Sequence, residues 1–92
     1  MSDAPRVLLI GKPGCHLCDD ARAVVARVTA DLGESYEERS ILDDPDLHER
    51  YWEQIPVVLV DGAQHDFWRV DEQRLRQALA GRQRHRWGRA AR

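Results

Sequence analysis

An unbroken apolar run, Val7-Leu8-Leu9-Ile10, stops at Gly11, Pro13 and Gly14, and a helical pattern begins directly after the second glycine. This junction restricts the fold more than any other feature of the chain. Arg6 to Gly11 reads as a buried strand, because a continuous apolar run bounded by turn residues suits a strand covered on both faces. From about Cys15 to Leu32 the residues Leu17, Ala21, Val24, Val28 and Leu32 recur at steps of three and four, which sets them along one stripe of a helix. Asp19 and Asp20 lie in its first turn and Gly33 follows its end, as the helix dipole and a left-handed stop would favour. A strand that feeds a helix in this way opens a β-α-β unit, and hence a parallel strand pair.

The remaining elements follow from the same signals. Ser35 to Ile41 is a more polar strand, suited to a sheet edge. Asp44-Pro45 starts a second helix, with aspartate as cap and proline at the first helical position, running to about Tyr51. Asp43 and Asp46 belong to this helix start and its solvated turn. Val57 to Val60 is a short buried strand, Asp61-Gly62 a hairpin turn, and Gln64 to Trp68 the return strand. Asp71 caps a last helix whose buried stripe is Leu75, Ala78 and Leu79. The order is β-α-β-α-β-β-α, an α/β chain with a mixed four-stranded sheet flanked by helices. At 92 residues the chain is one domain, since two would each struggle to bury enough apolar surface.

Charge is unevenly spread. Residues 82–92 carry Arg82, Arg84, Arg86, Arg89 and Arg92 without an acid, leaving nine basic against sixteen acidic residues elsewhere. We therefore divide the chain into a domain, residues 1–81, and a basic C-terminal tail, residues 82–92. Such a tail is a solvated terminus or a contact for nucleic acid or anionic membrane, and we expect neither nucleic acid nor membrane as partner. Trp87 within it is a candidate anchor. No apolar run nears the roughly 20 residues of a membrane span, and four apolar residues are too few for a signal-peptide core. Two cysteines cannot form the disulfide framework of a small secreted domain. A cytoplasmic location and a monomer are expected.

Cys15-His16-Leu17-Cys18 carries the chemistry. Three residues apart at a helix start, the two sulfurs share one face and come within disulfide reach. The unpaired N–H groups and the dipole there favour a thiolate at Cys15, the attacking species in disulfide exchange. Lys12, the only lysine in the chain, and His16 when protonated would add positive charge. Cys15 would attack a substrate disulfide, and Cys18, one turn deeper, would resolve the mixed disulfide. A zinc half-site is the alternative, but zinc takes four ligands and His16, His48, His65 and His85 form no spaced pair. A zinc or iron–sulfur site shared between two chains also stays open, in a non-catalytic binding module. Ile55-Pro56 at the entry of the third strand reads as a strand-initial proline, or as a cis bond that leaves the Ile55 backbone free to pair with a substrate segment. Trp52, Phe67 and Trp68 are candidates for a substrate groove or for edge packing.

Lys12-Pro13-Gly14-Cys15-His16-Leu17-Cys18, with Ile55-Pro56-Val57 and the Asp61-Gly62 hairpin, resembles the glutaredoxins, and more closely the small glutaredoxin-like proteins of thioredoxin fold. The resemblance covers roughly residues 6–80. It implies a thioredoxin-like fold, a nucleophilic Cys15, a resolving Cys18, a cis Pro56 beside them, and a Lys12 that helps bind a glutathione carboxylate. Asp71 holds the family's aspartate position at the last helix. Phe67-Trp68-Arg69-Val70 stands where the family has a paired-glycine turn, and His16 and Leu17 replace its proline and aromatic residue. The resemblance thus implies dithiol exchange with no built-in metal or organic cofactor, on a protein disulfide or a low-molecular-weight thiol such as glutathione, with a reductase as electron donor.

Overall fold

Alternate residues of the first apolar run bury on opposite sides of a sheet. Val7 and Leu9 join Val58 and Val60 in one core, and Ile10 joins Val57 in a second, with Leu8 and Leu59 packed against it. This period of two is what a strand covered on both faces produces. In the computed structural model, which describes residues 5–80, the strands are β1 (Val7–Gly11), β2 (Tyr36–Ser40), β3 (Val57–Val60) and β4 (Ala63–Phe67). The helices are α1 (His16–Leu32), α2 (Pro45–Tyr51) and α3 (residues 72–80). Their order is the one expected.

The sheet runs β2-β1-β3-β4. β1 and β2 are parallel, β1 and β3 antiparallel, and β3 and β4 form the antiparallel hairpin. β2 is an edge strand, which accounts for its polar composition. The turn between β3 and β4 has positive φ at both central residues, +53° at Asp61 and +86° at Gly62, the backbone that a two-residue hairpin requires.

α1 and α3 cover one face: Ala21, Val25 and Val28 of α1 and Leu75 and Leu79 of α3 pack on Val7, Leu9, Val58 and Val60. α2 covers the other through Leu47 and Tyr51, against Ile10, Ile41 and Val57. Each fully buried Val, Leu or Ile contributes on the order of 1.5–3 kcal/mol, and these two layers contain nearly all of them.

Several element boundaries and one stripe differ from the sequence expectation. Arg6, Ser35 and Ile41 lie outside their strands, and Cys15 precedes α1 as its cap. β4 starts one residue early, at Ala63, and Trp68 lies outside it, because its φ of +65° ends extended pairing. The buried face of α1 is Cys18, Ala21, Val25, Val28 and Thr29, so Leu17 and Leu32 are displaced to its margins at 38% and 39% exposure. Burying Thr29 is tolerated because its hydroxyl donates to the Val25 carbonyl at 2.7 Å. In α3, Leu75 and Leu79 are buried and Ala78 half-buried, as the spacing predicts. Asp44 caps α2, its carboxylate accepting from the Asp46 amide at 2.9 Å. The tail, residues 82–92, with Trp87, lies outside the described residues.

Candidate active site

Cys15 closes the turn made by Gly14, whose φ is +74°, and takes extended backbone angles as the cap of α1. Its Sγ accepts a hydrogen bond from the Cys18 amide at 3.1 Å, the place usually taken by a serine or aspartate oxygen. The Asp19 amide donates to the Cys15 carbonyl at 3.0 Å, the first bond of the helical ladder. The half-buried Cys15 sulfur thus sits where unpaired N–H groups concentrate positive potential. Cys18 is only 1% exposed. Burial pushes its thiol up to about 11, the Cys15 thiol alongside pushes the same way, and the Lys12 backbone opposes them. Both cysteines are free thiols.

Gly11, at the end of β1, does more than stop the strand. A Cβ built there would stand 2.8 Å from the Cys18 Sγ, so the buried sulfur occupies the space that a side chain at position 11 would need. Nothing in a sequence window reveals that contact.

The other expected residues are placed unequally. Lys12 is exposed just past β1 and lines an open groove of about 430 Å³ with Pro13, Arg22, Arg39 and Asp43. His16 is the exposed first residue of α1, and its ring makes no hydrogen bond among the described residues. The Ile55–Pro56 bond is cis. The β1–β3 register, carried one pair beyond Ile10 and Val57, sets Pro56 across from Gly11, and hence beside the residue that touches Cys18. Ile55 packs against the second core, and its backbone takes no hydrogen bond among the described residues, whereas the Gln54 and Pro56 carbonyls flanking it both accept from the Trp68 amide. Asp71 spends its carboxylate on α3, accepting from the Arg74 amide at 3.1 Å, and contacts neither sulfur. Its segment borders a second groove, about 200 Å³, in which Trp68, Arg69 and Val70 face Leu17, Asp20, Ala21 and Val24 of α1.

Trp52, Phe67 and Trp68 are all exposed in part, and of the three only Trp68 lines that groove. Among the described residues no group of three or more His, Cys, Asp or Glu side chains is placed to hold a metal ion, and no helix is long and apolar enough to cross a membrane. The arrangement supplies two neighbouring sulfurs, one half-exposed at a helix start and one sealed behind it.

Residues 6–80 match the family model described as Glutaredoxin-like domain (DUF836). An uncharacterized protein of Mycobacterium tuberculosis is 32% identical over 81 residues, covering 83% of this chain and 84% of its own length. The X-ray structure of a structural-genomics target protein, XcR50 from X. campestris, is similar with a TM-score of 0.68 at 30% identity, over 82% of this chain and 96% of that one. A glutaredoxin from Archaeoglobus fulgidus shares the fold, with a TM-score of 0.55 at 18% identity over 79% and 84% of the two chains.

Proposed function

The chain belongs to the glutaredoxin-like domain family, and from that premise we propose that it is a thiol–disulfide oxidoreductase working through Cys15 and Cys18. One observation carries the reading: the half-exposed Cys15 sulfur accepts the Cys18 amide at the start of α1, with the Cys18 thiol buried behind it. The Cys15 thiolate attacks a substrate disulfide, forming the Cys15–substrate bond, and the departing sulfur leaves as a thiolate that takes a proton. Cys18 then loses its proton and attacks the Cys15 sulfur, expelling the second substrate thiolate. The substrate has gained two electrons and the enzyme holds a Cys15–Cys18 disulfide, which a dithiol or a reductase returns to two thiols.

The backbone of Ile55, free of partners among the described residues, is suited to pair with an extended substrate segment lying across Pro56. Lys12 offers positive charge close to the cysteine turn, in an open groove that it shares with Arg22 and Arg39 and with the Glu38 and Asp43 carboxylates. Chemistry of this kind needs reducing equivalents, and a reducing cytoplasm is where we place it.

The test is trapping. Cys18→Ser protein mixed with an excess of disulfide substrate should retain it as a mixed disulfide on Cys15, seen as added mass that dithiothreitol removes. Wild type should instead cycle, and Cys15→Ser should do neither. A Cys18→Ser protein that captures nothing, with a wild type that never forms the internal disulfide, would end this reading.

A further inference from the structure

Trp68 has a φ of +65°, in the left-handed region where a bulky side chain is an outlier and glycine sits freely. Such a backbone persists where its surroundings hold it, and it concentrates at binding clamps. What holds this one is identifiable. The Trp68 amide donates to the Pro56 carbonyl at 2.9 Å, and its indole Nε1–H donates to the Glu53 carbonyl at 3.0 Å. The ring meets Phe67 edge-on, with centroids 4.9 Å apart. The indole is therefore fixed at both ends, yet 54% of the residue stays exposed.

Its open side forms a wall of the 200 Å³ groove, opposite Leu17 and Val24 of α1 and next to Val70. Leu17 lies between the two cysteines in the chain, which sets this groove next to the dithiol turn. Leu17, Ala21, Val24, Trp68 and Val70 give the groove an apolar side, Asp20 and Arg69 give it a charged one, and the space suits one large side chain lying along the apolar side. Arg69 stands at the rim without a side-chain partner among the described residues, unlike Arg22, Arg27 and Arg76, which are all ion-paired.

We infer that Trp68 determines specificity at the dithiol site, and that the substrate is a polypeptide disulfide with a bulky apolar residue next to its cysteine. The inference rests on the oxidoreductase reading for its sulfur chemistry, while the groove selects by shape and apolar contact alone. A small thiol without an apolar side chain leaves the groove empty and gains nothing from the indole.

Binding is measured first, so that the outcome does not depend on turnover. The full chain carrying Cys15→Ser and Cys18→Ser is titrated with two fluorescein-labelled peptides, Glu-Leu-Ser and Glu-Gly-Ser at their centres, and anisotropy is read. The leucine peptide should bind about tenfold more tightly. That preference should shrink to within twofold in Trp68→Gly, which relaxes the backbone, and in Trp68→Asn, which also tolerates positive φ. Equal or undetectable affinities, or a preference that survives both changes, would overturn the assignment.

In the redox-competent chain, the ratio of kcat/KM for Leu-Cys over Gly-Cys peptide disulfides should fall about tenfold in Trp68→Gly, through KM. An unchanged ratio counts against the inference. A wild type that reduces no disulfide at all sinks the oxidoreductase reading, and the binding preference then decides the groove by itself.

Discussion

Cys18 is held as a thiol by its burial, and two consequences of its shift to about 11 are measurable. Release of a substrate from Cys15 requires the Cys18 thiolate, whose fraction rises tenfold per pH unit below that value. Single-turnover resolution of a preformed Cys15 mixed disulfide, followed by mass spectrometry, should therefore accelerate about tenfold per unit between pH 7 and 9. Stability moves the opposite way. Between the ordinary thiol value of 9.0 and about 11 the unfolded chain gives up this proton first, so the reduced protein weakens as pH rises through that window. Urea unfolding should show the loss above pH 9 in the wild type and a smaller one in Cys18→Ala. Gly11→Ala tests the same sulfur from the other side. A Cβ 2.8 Å from Sγ forces the Cys18 side chain to move, a packing strain that should lower stability by roughly 1–3 kcal/mol in urea.

At the scale of elements, the helices are placed by their ends as much as by their faces. The cap of α1 is a cysteine, so the group that starts the helix is also the proposed nucleophile. α3 is capped by Asp71 and tied to α1 by Glu72 with Arg27 and by Arg76 with Asp31. Asp71→Ala should cost about 1 kcal/mol in thermal or urea unfolding. The Arg27 and Arg76 guanidiniums hold the Glu72 carboxyl down to about 2. A carboxylate depressed in the fold adds stability above its unfolded value of 4.5, and that contribution disappears as pH falls toward 2. Acid titration by circular dichroism should show a shallower loss in Glu72→Gln over that interval. The face of α1 was only half legible. Leu17-Ala21-Val24-Val28-Leu32 and Cys18-Ala21-Val25-Val28-Thr29 both fit helical spacing, and the sheet chose between them by drawing Cys18 under Gly11.

Over the whole molecule, Arg6 joins distant parts of the chain. Its guanidinium pairs with Glu34 after α1 at 2.8 Å, with Asp61 of the hairpin turn at 3.1 Å, and reaches the Leu79 carbonyl of α3 at 3.4 Å. These groups are largely buried, so Arg6→Ala should lower unfolding stability by about 2 kcal/mol, measured in urea, through loss of charged hydrogen bonds. Local sequence determined the strands, the helices, the hairpin and the two sulfurs at a helix start, because apolar spacing, caps and turn residues act within a few positions of one another. Only the tertiary structure decided that β3 lies antiparallel against β1 with Pro56 across from Gly11, that Trp68 faces Leu17, and that Arg6 spans three elements. Those relations join residues some 30 to 70 positions apart, and they are chosen by which arrangement buries both faces of the sheet at once, a free energy that no short window of sequence contains.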